Sequence, residues 1–139
     1  KIELIKNNCK RLGIKKVVAS AHDGTVLMDE FVGKADKILA DVPCSGLGII
    51  RKKPDIKWNK ETEDFESIVT IQKQILCNAH KYLKKGGTLV YSTCTVNKKE
   101  NECVAEEFAK NNNYKIDMIK TILPCEDCDG FFICKMIKE

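Results

Sequence analysis

Two cysteines in this sequence lie in short polar segments that could carry covalent chemistry. Cys44 comes three residues after Asp41, and Cys94 follows Ser92 and Thr93. A thiolate is a strong nucleophile, and nearby positive charge favours it over the neutral thiol. A cysteine can equally serve as a small apolar filler of a protein core. The residue types alone leave both interpretations open, a nucleophilic site and simple packing.

A short basic segment follows Cys44. It contains five basic residues and one acid, which are Arg51, Lys52, Lys53, Lys57, Lys60 and Asp55. Without this segment the totals of 24 basic and 20 acidic residues fall to 19 of each, so it supplies the whole net charge of +4. A local basic surface is suited to binding the phosphates of a nucleic acid. It also places positive charge close to Cys44 in the sequence.

A third group of thiols lies near the C-terminal end. Cys125 and Cys128 form a C-x-x-C pair, and Cys134 follows them closely. This spacing occurs in zinc sites and in redox proteins. A structural zinc site needs four ligands, and the sequence has neither a nearby histidine nor a second C-x-x-C pair. We therefore predict no metal site, and a thiol or metal function of this pair stays an alternative.

The elements that would position these residues alternate between helices and short apolar strands. Apolar residues at spacings of three and four predict helices over residues 2–12 and 62–83. A third helix is predicted to open at Asn97, because Glu100 three residues later resembles a capping box. Apolar runs predict five strands, at Val17–Ala19, Ile38–Ala40, Thr88–Tyr91, Tyr114–Ile119 and Phe131–Met136.

The alternation of these elements predicts an α/β fold. We expect an open, mostly parallel sheet covered on both faces, with an antiparallel strand near the C-terminal end. In such sheets, ligands bind outside the carboxyl ends of the strands. Three of the predicted strands end in polar side chains, which are Asp23, Asp41 with Cys44, and Cys94. We therefore expect these four side chains to converge on one edge of the sheet.

Length and composition place the chain in a broad class. Its 139 residues are 43% hydrophobic and 32% charged, which fits one globular domain over residues 1–139 with a real core. Eight cysteines are about 6% of the chain, below the roughly 8 to 10% of a disulfide scaffold, so reduced thiols are expected. Neither a membrane-length apolar run nor a signal peptide is present, so we predict a cytoplasmic protein without a membrane partner.

Four segments resemble motifs of one enzyme family. The sequence DVPCSGLGIIRKKPDIKW, residues 41–58, resembles the fourth motif of RNA cytosine-5 methyltransferases, especially the bacterial Sun type (RsmB) that acts on small-subunit ribosomal RNA. LVYSTCTV, residues 89–96, together with ENE at 100–102, resembles the sixth motif. AHDG at 21–24 resembles the third motif, and DGFFICKM at 129–136 resembles the terminal strand. The resemblance spans nearly the whole chain in family order.

The resemblance implies a role for each candidate residue. It implies that Cys94 attacks C6 of a cytosine, which makes C5 nucleophilic toward the methyl group of S-adenosylmethionine. It implies that Cys44 helps to resolve the covalent adduct. Asp41 matches the acid at the target base and is also a candidate cofactor contact, whereas Asp23 matches the acid that holds the adenine of the cofactor. The basic residues that we expect to bind RNA are Arg51, Lys52, Lys53 and Lys57.

The resemblance also implies a fold and a function. The fold is the Rossmann-like sheet of class I S-adenosylmethionine-dependent methyltransferases, incomplete at its N-terminal side. The glycine-rich cofactor motif and the N-terminal RNA-binding domain of the family do not occur among these residues, and the first residue is Lys. We therefore expect the C-terminal part of a catalytic domain, inactive alone, whose parent methylates cytosine C5 in 16S ribosomal RNA and needs no obligate protein partner. The alternative is a noncatalytic RNA-binding module that uses the segment from Arg51 to Lys60.

Overall fold

Three helices and four strands make up the part of the chain that the computed structural model describes, which is residues 1–57 and 62–139. Of residues 57 and 62–64, the backbone alone is described. The helices are α1 (Ile2–Arg11), α2 (Thr62–Tyr82) and α3 (Glu102–Asn111). The strands are β1 (Ala35–Asp41), β2 (Leu83–Thr93), β3 (Tyr114–Ile122) and β4 (Phe131–Lys138). Short 3₁₀ turns lie at Asp29–Phe31, Leu47–Ile49 and Pro54–Lys57.

The four strands form one open sheet in the order β1-β2-β4-β3. Strand β1 runs parallel to β2, and the pairings of β4 with β2 and with β3 are antiparallel. The α/β class is confirmed, and so is the antiparallel strand near the C-terminal end, which is β4. Among the described strand pairs, β1 and β2 are the parallel one, so their carboxyl ends lie next to each other at one end of the sheet.

The core lies where β2 and β4 pair at the centre of the sheet. Tyr91 and Phe132 are fully buried, and their rings meet edge to face with centroids 6.0 Å apart. Such aromatic pairs contribute about 0.5 to 1.5 kcal/mol beyond the area that they bury. Helix α2 adds Leu76, and helix α3 adds Val104 and Phe108, which the sequence placed on one helical face. The alternation of buried residues along β4 follows the two-residue period of a strand.

One predicted strand is absent from the described residues. Val17–Ala19 has no partner strand, and the side chains of Val17 and Val18 are 52% and 93% exposed. Helix α1, just before this segment, also has no buried residue. A strand is stable only when a neighbouring backbone accepts and donates its hydrogen bonds, and no strand of the described sheet pairs with this segment. Apolar character was therefore not sufficient to form this strand.

The third predicted helix begins later than the sequence indicated. Helix α3 starts at Glu102, with Asn101 at its N-cap, rather than at Asn97. Residues 97–101 form a turn in which the backbone N–H of Glu100 donates to the carbonyl oxygen of Asn97 at 3.0 Å. The capping-box prediction was wrong because the carboxylate of Glu100 has other partners, described below. None of the described helices combines the length and the apolar character needed to cross a membrane.

Candidate active site

Two thiols meet at the carboxyl ends of the parallel strands. Cys44 lies in the loop after β1, and Cys94 comes directly after β2. Asp41 is paired in register with Ser92, so the two strands end at the same level. The Sγ atoms of Cys44 and Cys94 are 3.2 Å apart, and both side chains are partly buried. The predicted convergence of these two cysteines is confirmed.

Burial influences the protonation state of Cys44. Burial, followed by the hydrogen bond with Cys94, raises the pKa of Cys44 to about 12, although the backbone N–H groups of Gly46 and Cys94 act in the opposite direction. A thiol with this pKa keeps its proton at neutral pH. Cys44 can therefore donate a hydrogen bond to the sulfur of Cys94.

A buried carboxylate joins the two cysteine loops. Glu100 is fully buried and accepts hydrogen bonds from the backbone N–H of Ser45 at 2.7 Å and from its hydroxyl at 2.6 Å. The same carboxylate accepts a bond from the Asn97 side-chain amide at 3.0 Å. The hydroxyl of Ser45 also pairs with that of Thr95 at 2.8 Å. Because Ser45 follows Cys44 and Thr95 follows Cys94, this cluster fixes the residue next to each thiol.

A second set of buried polar groups supports the end of β2. The Thr93 hydroxyl donates to the Asn101 side-chain oxygen at 2.6 Å, and the Asn101 amide donates to the Thr95 carbonyl at 2.9 Å. The hydroxyl of Tyr91 donates to the carbonyl of Glu100 at 2.6 Å. Buried polar groups with all partners in place rigidify a site. No positioning role was predicted for these residues from the sequence, and their signal was the run of polar residues that follows β2.

Asp41 presents a carboxylate at the same edge of the sheet. It is the last residue of β1, its side chain is exposed, and one of its oxygens accepts a hydrogen bond from the Ser92 hydroxyl at 3.1 Å. That bond orients the carboxylate and leaves other lone pairs free to accept bonds from a ligand. The predicted placement of Asp41 at this edge is confirmed.

Asp23 lies in a separate loop, at Asp23–Thr25. The backbone N–H and hydroxyl of Thr25 donate to its carboxylate at 2.9 and 2.7 Å, and these bonds hold the pKa of Asp23 below its ordinary value. Its loop lies against α2, where Asn78 donates to the Gly24 carbonyl at 3.0 Å. Gln72 on the same helix contacts the Cys44 loop through the carbonyl of Pro43. Asn78 lies about 9 Å farther along α2 than Gln72, since an α-helix rises about 1.5 Å per residue. The strand that was expected to carry Asp23 did not form, and a role of Asp23 in the site stays a prediction.

The basic segment lies against the loop between β3 and β4. Arg51 donates to the backbone carbonyl of Glu126 and lies 3.6 Å from the Asp129 carboxylate, which also pairs with Lys52. Lys53 is exposed. The side chain of Lys57, and residues Trp58 and Lys60, lie outside the described structure. Two of the four predicted RNA-binding residues therefore have acidic or carbonyl partners within the protein.

Gly48 connects the Cys94 loop to the same β3–β4 loop. Its N–H donates to the Cys94 carbonyl at 3.0 Å, and its own carbonyl accepts from the N–H of Gly130 at 2.8 Å. A Cβ atom at position 48 would lie 2.7 Å from the Cys94 carbonyl oxygen and would also meet the Gly130 carbonyl. Only glycine permits this approach of three backbone segments.

A cavity of about 650 Å³ lies close to this edge but does not contain the thiols. It lies between α2 and α3, and its lining includes Phe65, Val69 and Val104. The two thiols and Asp41 lie outside this cavity, at the carboxyl ends of β1 and β2, where Asp41 is exposed and the thiols are partly exposed. This arrangement suits a large substrate that brings one group into the site.

Comparison with known proteins relates these residues to one family. The model of the family described as 16S rRNA methyltransferase RsmB/F matches residues 1–137. The probable ribosomal RNA small subunit methyltransferase B of Bacillus subtilis (strain 168) is 36% identical over 159 residues, which cover 100% of this chain and 36% of that protein. The ribosomal RNA small subunit methyltransferase F of Salmonella arizonae is 34% identical, covering 99% of this chain and 33% of that protein. The chain thus spans about a third of the length of these relatives.

Solved structures agree with this relationship. NSun6 from Pyrococcus horikoshii with SFG superposes with a TM-score of 0.83 at 30% identity, covering 98% of this chain and 38% of that one. A methyltransferase homolog protein from Pyrococcus horikoshii gives a TM-score of 0.79 at 26% identity, covering 99% and 50%. The resemblance that the motifs indicated is confirmed, because the family match extends over both cysteine loops and nearly all of the sheet. The chain belongs to the 16S rRNA methyltransferase RsmB/F family.

Proposed function

We propose that this chain carries the base-handling part of an S-adenosylmethionine-dependent methyltransferase that modifies C5 of a cytosine in small-subunit ribosomal RNA. The proposal rests on the pair of thiols, Cys44 and Cys94, whose sulfur atoms lie 3.2 Å apart at the carboxyl ends of two parallel strands. At this distance one thiol can act as a nucleophile and the other can assist its release. The names of the relatives, which are ribosomal RNA small subunit methyltransferases, support the RNA substrate. Such a substrate would place the activity in the cytoplasm.

The residues of the site fit the cofactor in part. When bound, S-adenosylmethionine supplies an electrophilic methyl group, and a solved relative is named with SFG, an analogue of that cofactor. Asp41, exposed at the end of β1, would hold the polar part of a ligand there. Asp23, the other expected cofactor contact, has its carboxylate bonded to Thr25. The described residues therefore fit the target base better than they fit the whole cofactor.

The first step assigned to this chain is nucleophilic attack. The sulfur of Cys94 forms a bond to C6 of cytosine, and the electrons of the C5–C6 double bond move to C5, which becomes nucleophilic. Sulfur suits this step because a thiolate both adds to an electron-poor ring and later leaves it. The Asp41 carboxylate would accept a hydrogen bond from the N4 amino group, which distinguishes cytosine from uracil.

The second step returns the enzyme to its starting state. Once C5 carries the methyl group, a water molecule takes the C5 proton, the electrons of that C–H bond re-form the C5–C6 double bond, and the bond between C6 and the sulfur of Cys94 breaks. Cys44 keeps its proton at neutral pH and lies within hydrogen-bond distance of the departing sulfur, so it can stabilise the Cys94 thiolate as it forms. Cys44 is thus the resolving residue, and Cys94 is the nucleophile.

The covalent intermediate gives a direct test in the whole enzyme. Cys94→Ser should abolish the transfer of a labelled methyl group and leave no adduct, because the bond to C6 never forms. Cys44→Ser should permit attack but slow release, so a covalent RNA–protein complex should accumulate as a slower band in denaturing electrophoresis. Cys77→Ser, which changes an exposed thiol on α2, should behave like the unsubstituted enzyme.

Two outcomes would contradict the assignment. If the trapped band appeared with Cys94→Ser, the roles of the two thiols would be reversed. If neither cysteine variant changed methylation, the noncatalytic RNA-binding alternative would replace the proposal. Nucleoside analysis of the labelled RNA tests the remaining claim, since the product must be 5-methylcytidine.

A further inference from the structure

A second pair of thiols lies in the loop between β3 and β4. The Sγ atoms of Cys125 and Cys128 are 2.7 Å apart, closer than those of Cys44 and Cys94. The backbone closes the turn around them, because the N–H of Cys125 donates to the carbonyl of Cys128 at 2.9 Å. A disulfide bond is about 2.05 Å long. Only a small movement of the two side chains would bring the sulfur atoms to bonding distance.

This pair is accessible and separate from the other thiols. Cys125 is exposed and Cys128 is partly exposed, whereas Cys134, the third cysteine of this region, is fully buried in β4. Within residues 1–57 and 62–139, no cluster of three metal-ligating side chains includes the pair. Exposed thiols held against each other are more suited to exchange with a small disulfide than to holding a metal with four ligands.

The loop makes the two thiols unequal. The hydrogen bond from Cys128 and then the backbone N–H of Asp127 lower the pKa of Cys125, and the guanidinium of Arg51 acts in the same direction. The hydrogen bond with Cys125 raises the pKa of Cys128. Cys125 is also the more exposed of the two thiols, so we assign it the first attack and Cys128 the second.

We propose that Cys125 and Cys128 form a surface dithiol that undergoes reversible exchange with low-molecular-weight disulfides of the glutathione type. The proposal is independent of the methyltransferase activity, because neither thiol belongs to the site at the strand ends. It assigns a redox modification site to the C-x-x-C pair.

The exchange balances in two steps. The Cys125 thiolate attacks one sulfur of oxidised glutathione, a bond between them forms, the disulfide of glutathione breaks, and one glutathione thiolate leaves and takes a proton from water. The Cys128 thiol then releases its proton and attacks the sulfur of Cys125, which displaces the second glutathione. Two protein thiols are oxidised to a disulfide, and one glutathione disulfide is reduced to two thiols.

The location of the pair gives the exchange a structural consequence. The turn that contains the two thiols presents the Glu126 carbonyl to Arg51, and Asp129 pairs with Arg51 and Lys52. The next residue, Gly130, donates to the Gly48 carbonyl at 2.8 Å. A disulfide would therefore constrain the turn that holds the start of the basic segment.

Peptide mapping tests the proposal on the purified protein. The reduced protein is incubated with oxidised glutathione at neutral pH, quenched with acid, alkylated with iodoacetamide under denaturing conditions and digested with trypsin. Residues 121–135 form one peptide that contains Cys125, Cys128 and Cys134. We expect this peptide to lose two hydrogen atoms, to be alkylated only at Cys134, and to recover all three reactive thiols after treatment with dithiothreitol.

Two variants test the order of the steps. Cys128→Ser should accumulate a single glutathione on Cys125, because the second step is blocked. Cys125→Ser should react with glutathione more slowly, because the remaining thiol, Cys128, is the less exposed of the two. In urea the two variants should react at similar rates, which shows that the folded turn causes the difference. Cys103→Ser, which changes an exposed cysteine on α3, should leave the disulfide unchanged.

Three results would overturn the proposal. One is a peptide that stays fully alkylated at all three cysteines after incubation with oxidised glutathione. Another is a disulfide that joins Cys134 to either partner. The third is equal glutathione incorporation by Cys125→Ser and Cys128→Ser in the folded protein, because the asymmetry of the pair would then be absent.

Discussion

Glu100 shows how one buried side chain can set the geometry of two loops. Its carboxylate accepts hydrogen bonds from Ser45 after the first cysteine and from Asn97 after the second. A buried carboxylate costs free energy unless its oxygens have partners, and here both oxygens have them. We infer that Glu100 is a positioning residue, because it acts through the neighbours of the two thiols.

The variant Glu100→Gln tests this role. It replaces one acceptor oxygen by an NH₂ donor, so one of the donors on Ser45 or Asn97 loses its partner at a cost of about 1 to 3 kcal/mol. In the whole enzyme we expect a lower unfolding midpoint in urea and at least a tenfold fall in kcat, since about 1.4 kcal/mol corresponds to tenfold in rate. The KM for RNA should change little because Glu100 is fully buried.

Glu102→Gln is the matched control. Glu102 lies two residues away, is partly buried and accepts a bond from the Thr121 hydroxyl on β3, away from the two thiols. Its substitution should leave kcat nearly unchanged. Equal losses of kcat in the two variants would contradict a positioning role for Glu100 and indicate a general loss of stability.

At the scale of elements, the decisive piece is the 3₁₀ turn at Leu47–Ile49. It lies between the Cys94 loop and the β3–β4 loop, and Gly48 bonds to the backbone of both. The turn therefore couples the loop that presents the nucleophile to the loop that contains the second thiol pair. Because the contacts are between backbone atoms, a side chain at position 48 has no room to adjust.

Gly48→Ala should destabilise the protein strongly. The new Cβ atom would lie 2.7 Å from the Cys94 carbonyl oxygen, so the backbone itself must shift. We expect a loss of about 3 kcal/mol in the free energy of unfolding, the upper part of the range for overpacking, measured by urea denaturation.

Gly13→Ala is the control for this prediction. Gly13 also resists substitution through its positive φ of 68°, but a Cβ atom there would meet nothing within 4 Å. Its cost should be only about 1 to 2 kcal/mol, from the left-handed conformation alone. If Gly48→Ala cost no more than Gly13→Ala, the backbone contacts at Gly48 would not be close-packed in solution.

At the scale of the whole molecule, several ionisable groups are buried in their neutral form. Burial raises the pKa of Cys44 and Tyr114 to about 12, and burial with a smaller effect of Glu106 raises the pKa of Cys134 to about 11. All three groups are neutral when protonated, so folding favours the protonated form. Their contribution to stability is complete below the ordinary thiol value of 9.0 and is lost as the pH rises through the folded values.

The free energy of unfolding should therefore be level near neutral pH and fall steadily above about pH 9, as measured by urea denaturation across this range. Cys134→Val removes one of these groups and keeps the position apolar and suited to a strand. Its alkaline decline should be shallower, whatever its stability at neutral pH. A stability that rose between neutral pH and pH 11 would contradict the prediction.

The sequence by itself determined which residues could form the site. It also indicated the two strands that are followed by Cys44 and Cys94. Short apolar runs that end in polar residues indicated β1 and β2, and parallel strands must end at a common edge, so Cys44 and Cys94 could be placed together. The helical face of Val104 and Phe108 followed from local spacing in the same way. Such features depend on residues that are near one another in the chain.

Only the tertiary structure decided the features that depend on distant partners. Val17–Ala19 has the composition of a strand, but no strand of the described sheet pairs with it. Glu100 has the spacing of a helix cap, but its carboxylate binds Ser45, 55 residues earlier. Arg51 lies in a basic segment, but it bonds to Glu126, 75 residues later. Pattern and propensity report local preferences, whereas these contacts form only when separate segments of the chain pack against each other.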